Sequence, residues 1–133
     1  QGLYEKGFIT YMRTDSVTLS QEALDGARRA IKKLYGEDYL SDGPRQFQSK
    51  SRGAQEAHEA IRPAGGAFKT ANESGLSGLE MQLYELIWKR TMATQMADSK
   101  QMSTVVTIRA GEADFQASGT RILFPGFLPK FYQ

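Results

Sequence analysis

The chain has 133 residues, 40% of them hydrophobic and 24% charged, with 17 basic and 15 acidic side chains and a net charge of +2. This is the composition of an ordinary globular protein, with length for one domain or a domain and part of another, and the small charge excludes bulk electrostatic attraction as the basis of nucleic-acid binding. There are no cysteines, which excludes disulfides and thiolate metal sites and fits a cytoplasmic protein.

The chain opens on Gln1 with neither an initiator methionine nor the basic-then-apolar pattern of a signal peptide, and no apolar run approaches the roughly 20 residues that span a bilayer. Residues 3–7 look like the last turn of a helix with Gly7 as its stop, so the chain reads as part of a larger polypeptide. Residues 8–13 are aromatic and β-branched, a strand expectation that the polar Thr14, Asp15 and Ser16 break. A helix is expected over residues 20–35, with Ala23, Leu24, Ala27, Ala30, Ile31 and Leu34 on one face. Thr18 or Ser20 would cap its start, Lys32 and Lys33 suit its last turn, and Gly36 supplies its stop.

Residues 37–54 read as a long polar loop carrying Arg45, Lys50 and Arg52. Residues 55–61 suit a short helix, closed by Arg62 and Pro63 because a residue before proline avoids helical geometry. A second long helix is expected over residues 79–97, with Leu79, Leu83, Leu86, Ile87, Met92, Ala93 and Met96 as a core stripe widened by Tyr84 and Trp88. After Asp98 the period changes: residues 102–109, 113–118 and 120–124 read as three short strands, the last two parted by Gly119. Arg28, Arg29, Lys32 and Lys33 read as a solvated helix face, with contact to a DNA backbone as the minority reading. The tail from Phe124 to Tyr132 is strongly apolar and expects a partner surface.

Two stretches can carry chemistry. Tyr11 lies in the first, between β-prone residues, where most tyrosines simply pack. Arg13 follows two residues on, which on a strand is the same side. The pair suits phosphodiester chemistry: a nearby cation favours the phenolate nucleophile and can hold a phosphate. The second stretch holds His58, the only histidine, with Glu56, Glu59 and Arg62 nearby. A lone histidine of this kind is more often structural or exposed than catalytic. On a helix, however, His58 and Arg62 would share a face able to bind phosphate.

Residues 9–16, Ile-Thr-Tyr-Met-Arg-Thr-Asp-Ser, resemble the active-site signature of type IA DNA topoisomerases. Residues 57–63, Ala-His-Glu-Ala-Ile-Arg-Pro, resemble the family's second signature, in the expected order. Met12 favours the bacterial topoisomerase I branch, and the resemblance continues through residues 83–88, Gln95-Met96 and residues 123–127. It implies a tyrosine that attacks a phosphate of single-stranded DNA and becomes linked to the 5′ end, followed by strand passage and religation without ATP. By motif, Tyr11 would be the nucleophile, and Arg13 would hold the scissile phosphate and stabilise its transition state. His58 would contact DNA near the cleavage site, Asp15 would orient its neighbours, and Arg62 and Glu59 would support them.

The resemblance further implies an α+β chain. Residues 1–97 would be most of the helical domain that carries the tyrosine (domain III), and residues 98–133 would be strands entering the arch domain (domain II). Partners would be single-stranded or negatively supercoiled DNA and the remaining domains of the same enzyme, with no membrane, in the cytoplasm at the nucleoid. Mg²⁺ would be bound by a Toprim domain whose acidic motif has no counterpart here, so this segment alone would be inactive. Two other readings stay open on the residues alone: a non-catalytic DNA-binding module in which Tyr11 stacks on a base, and a purely structural domain.

Overall fold

The longest amphipathic stretch forms as its local chemistry dictates. In a computed structural model of the chain, which describes residues 1–48 and 58–128, helix α2 spans Gln21–Tyr35 after a one-turn α1, Gly2–Glu5. The Ser20 hydroxyl accepts from the Ala23 N–H at 3.2 Å, and Gly36, at φ 97°, ends the helix. Its buried face is Ala23, Leu24, Gly26, Ala27 and Ile31, whereas Leu34 is exposed. The basic face is not simply solvated. Arg28 donates to the Ser41 hydroxyl and carbonyl at 3.0 and 3.1 Å, and Lys32 pairs with Glu37.

A 3-10 turn at Glu37–Tyr39 follows, and the loop beyond it is tied to the end of the second long helix. The buried Gln95 side chain mimics a backbone amide: its Oε1 accepts from Arg45 N–H at 2.9 Å and its Nε2 donates to Arg45 C=O at 2.8 Å. Ser41 N–H donates to Gln95 C=O, and Leu40 bridges Met96. The expected basic positions Lys50 and Arg52 lie outside the described residues.

That second helix, α4, spans Gly78–Thr94 after a one-turn α3, Ala71–Ser74, closed on itself by a Thr70–Glu73 capping box. The expected core stripe is corrected here. Tyr84, Trp88, Thr91 and Met92 face inward, while Leu79, Leu83 and Leu86 are exposed, Leu79 by 82%. The sequence carries two apolar stripes at helical spacing, and the one bearing the aromatics is taken inward. Tyr84 and Trp88 bury large surfaces and their polar atoms find acceptors, Tyr84 Oη on Lys69 C=O at 2.7 Å and Trp88 Nε1 on Phe68 C=O at 3.0 Å.

Phe68, buried between these helices, holds φ at 46°, a left-handed conformation that costs a non-glycine residue about 1–3 kcal/mol. The two aromatic donors on consecutive carbonyls hold it there. Gly26 makes the close approach possible: a Cβ on it would lie 2.7 Å from Gly66 C=O and 2.7 Å from the Phe68 ring.

Two expectations near the motifs fail. Residues 8–13 do not form a strand; the pairing with residues 60–64 is an isolated bridge between Ile9 and Pro63. The ladder stops there because the donors that would extend it are taken elsewhere: Phe8 N–H donates to Leu3 C=O at 2.9 Å and Arg62 N–H to the Thr10 hydroxyl at 3.0 Å. Residues 58–61 are not helical, and the rest of that expected helix, residues 55–57, lies outside the described residues. The backbone groups there bond sideways: Ala60 N–H donates to Thr18 C=O at 2.8 Å, and Ala60 C=O accepts from the Thr10 hydroxyl.

By its internal contacts the chain divides into two compact units, residues 1–97 and 98–133. The second is an antiparallel hairpin of β1, Lys100–Ala110, and β2, Ala113–Phe124. The expected break at Gly119 does not occur: Gly119 pairs with Thr104 inside one continuous strand. Helices followed by a hairpin make the chain α+β. Among the described residues no helix is long and apolar enough to cross a membrane.

Gly26→Ala should lower the unfolding free energy by about 1–3 kcal/mol, the usual cost of overpacking against backbone. Urea denaturation of parent and variant measures it, and a change within a few tenths of a kcal/mol would show that the loop at Phe68 yields easily.

Candidate functional site

The two motif stretches meet because residues 8–10 and 60–64 exchange backbone hydrogen bonds. Ala64 N–H donates to Phe8 C=O at 2.9 Å, and Thr10 N–H donates to Arg62 C=O at 2.9 Å. The Thr10 hydroxyl adds to this, donating to Ala60 C=O at 2.7 Å and accepting from Arg62 N–H at 3.0 Å. Tyr11 therefore follows directly on Thr10, the last hydrogen-bonded residue of the pairing. It is 43% exposed, with its ring edge-on to Tyr4 at 5.3 Å and to His58 at 6.1 Å between centroids. Neither Thr10 nor Tyr4 stood out in the sequence; only the β-prone setting of Thr10 hinted at a backbone role.

Arg13, Asp15 and His58 form one cluster. Asp15 offers one carboxylate oxygen to Arg13 Nε at 2.9 Å and the other to His58 Nε2 at 2.6 Å. His58 Nδ1 lies 3.0 Å from Glu59 C=O. A carbonyl can only accept, so Nδ1 donates in that contact. Arg13 and His58 share one carboxylate beside the Tyr11 ring. Tyr11, Arg13, Asp15 and His58 are thus brought together, although neither a strand nor a helical face does it.

Arg62 is not with them in role. Its side chain is only 4% exposed and is engaged in internal bonds, so it does not share a DNA-facing surface with His58. Nε pairs with Glu59 at 2.5 Å, Nη1 donates to Pro63 and Gly65 C=O at 2.9 and 2.8 Å, and Nη2 reaches the Ser20 hydroxyl at 3.3 Å. Glu22 lies 3.6 Å away. Burial pushes the Glu59 carboxyl up, but the hydrogen bonds from Arg62 and Ser20, with the charge of Arg62, outweigh it and hold the group below the ordinary carboxylate range. One guanidinium thereby joins the 58–65 segment to the N-cap of α2. No three Asp, Glu or His side chains converge on a possible metal site among the described residues, and Asp15 is taken up by Arg13 and His58.

Known proteins are similar to this chain in sequence and in fold. A family model described as DNA topoisomerase matches residues 1–133. DNA topoisomerase 1 of Synechococcus elongatus is 57% identical over 133 residues, which are 100% of this chain and 15% of that protein. DNA topoisomerase 1 of Synechocystis sp. is 53% identical with the same coverage. Full-length topoisomerase I from Thermotoga maritima, solved in a monoclinic crystal form, superposes with a TM-score of 0.77 at 36% identity, covering 95% of this chain and 20% of that one. The chain spans about 15% of the length of the curated relatives it matches.

Removal of the buried guanidinium in Arg62→Ala should cost about 3–5 kcal/mol in urea denaturation, because Glu59 and two carbonyls lose their partner. Arg62→Lys should recover little, since one ammonium cannot reproduce the fork. A loss below about 1 kcal/mol would show that the clamp is not structural. The lowered Glu59 group also sets a pH window. The stability advantage of the parent over Glu59→Gln should be complete above the ordinary value of 4.5 and should vanish as the pH falls through the folded-state value. An advantage that persists in acid would exclude the ionised pair as its source.

Proposed function

This chain belongs to the bacterial type IA DNA topoisomerase I family, and on that footing we propose that Tyr11 is the nucleophile that cleaves one strand of DNA. The observation that carries the reading is the cluster beside it: an exposed tyrosine with Arg13 and His58 joined through Asp15. In the proposed step the Tyr11 oxygen gives up its proton and bonds to a backbone phosphorus, the bond to the 3′ oxygen breaks, and that oxygen takes up a proton and leaves as a hydroxyl. The 5′ phosphate stays on the tyrosine. Reversal of the same exchange reseals the strand and needs no ATP, because the phosphotyrosine ester conserves the bond energy.

Arg13 would lie against the scissile phosphate and stabilise the charge that builds on its oxygens. His58 would hold a neighbouring phosphate. Asp15 would position both side chains against the phosphodiester. Arg62 and Glu59 act on this site only by holding the 58–65 segment in place. Relaxation of negative supercoils would then need strand passage by further domains, and the Mg²⁺ of the whole enzyme would be held by residues outside this chain. These 133 residues by themselves are proposed to be inactive. Residues 1–97 are proposed as the tyrosine-bearing domain, and residues 98–133 as strands of the arch.

The test replaces the matched segment of the Synechococcus elongatus enzyme by this chain and mixes the chimera with labelled single-stranded DNA. A denaturant-resistant adduct on the 5′-phosphate side is expected, and Tyr11→Phe should abolish it. An adduct that survives this substitution would remove Tyr11 from the role. Arg13→Gln should lower the rate of adduct formation by about 10²–10³-fold, the usual loss of one charge-stabilising donor.

A further inference from the structure

A second group of cations lies away from the Tyr11 cluster, over a cavity that the proposed cleavage step does not use. Arg29 and Lys33 project from one face of α2, and Lys69 follows the strained Phe68. They line a cavity of about 720 Å³, within the range of sites that take a small ligand or a piece of a chain. Among the described residues none of the three is held in a salt bridge. Three cations against one lining carboxylate, Glu73, leave a charge of +2. That carboxylate accepts from the Thr70 N–H at 2.8 Å and the Thr70 hydroxyl at 3.0 Å, and from there it offsets part of the charge of Lys33 and Lys69.

The floor of the cavity is built rather than incidental. Gly26 lets the 66–68 segment lie directly on α2, and Trp88 and Tyr84 pin the carbonyls of Phe68 and Lys69. The unfavourable φ of Phe68 is what turns the chain here and puts Lys69 on the cavity rim. Backbone strain held by surrounding hydrogen bonds is a common mark of ligand sites. A space of this size has room for roughly one or two nucleotides of a single strand.

We infer that this cavity, bounded by Arg29, Lys33 and Lys69, binds the phosphodiester backbone of single-stranded DNA as a site separate from Tyr11. The inference rests on the reading of the chain as part of a DNA-cleaving enzyme. Residues 62–69 run from the Arg62 clamp to the cavity, so one stretch of backbone connects the two places. The contacts are to phosphate and carry no base preference.

The test measures anisotropy of a fluorescein-labelled oligothymidylate titrated with the 133-residue chain. Lys33→Gln/Lys69→Gln should bind about 25-fold more weakly in 0.1 M salt, and its salt slope should be shallower by about 1.4, as loss of two single-strand phosphate contacts requires. Lys89→Gln, which removes a charge paired with Glu85 elsewhere, should bind like the parent. Unlabelled single strand should compete and duplex should not. Both lysines are exposed, and unchanged urea midpoints would verify that the variants fold. Equal affinity of parent and double variant, an equal loss in Lys89→Gln, competition by duplex, or no salt-dependent binding by the parent would each overturn the site. Tyr11→Phe should keep full affinity here. Adduct formation in the chimera is read separately, so failure of the cavity and failure of the Tyr11 assignment give different results.

Discussion

The buried guanidinium of Arg62 is the interaction on which the rest of the first unit's chemistry depends. It sits where three pieces of chain with no regular structure in common must be held: residues 8–10, residues 58–65 and the start of α2. A planar fork with five donors can serve several acceptors at fixed angles, which no other side chain does. Glu59, two carbonyls and the Ser20 hydroxyl take those donors. Ser20 is also the N-cap of α2, so the helix start and the clamp are stabilised together. The backbone of Arg62 meanwhile pairs with Thr10, one residue before the exposed tyrosine. Side chain and main chain of a single residue thus align the segment that carries His58 with the segment that carries Tyr11 and Arg13.

Charge is distributed by placement rather than by amount. The overall excess of two positive charges is too small to attract DNA by itself. At the Tyr11 cluster Arg13 and His58 share one carboxylate, and over the cavity on α2 three cations share the lining with one. In both places the acid is held by internal bonds. Asp15 spaces Arg13 and His58, and Glu73 closes a capping box.

The hairpin of residues 100–124 is stabilised differently. Val105, Val106, Ile108, Phe115, Ile122 and Leu123 are all at least half exposed, so the strands hold together by their ladder without a buried face. Two strands with no packed face are marginal in water. Leu79, Leu83 and Leu86 on α4 are likewise exposed in this chain, which spans only about 15% of its curated relatives.

What could be read from the chain alone was local or was carried by motif. Helix α2 was legible nearly to the residue, because its period, its Ser20 cap and its Gly36 stop all act within a few residues of chain. The α+β class and the family followed from the change of period after Asp98 and from the two signatures. Folding decided the rest, through contacts distant in sequence. The donors on either side of the Ile9–Pro63 bridge turn to Leu3 C=O and the Thr10 hydroxyl, so Tyr11 stands in an irregular segment rather than a strand. The hydrogen-bond needs of Trp88 and Tyr84 select the inward stripe of α4 over the leucines. Arg62, which in sequence looked like a partner for phosphate beside His58, is enclosed in the interior, because its acceptors come from chain up to 42 residues away in sequence and converge only after folding.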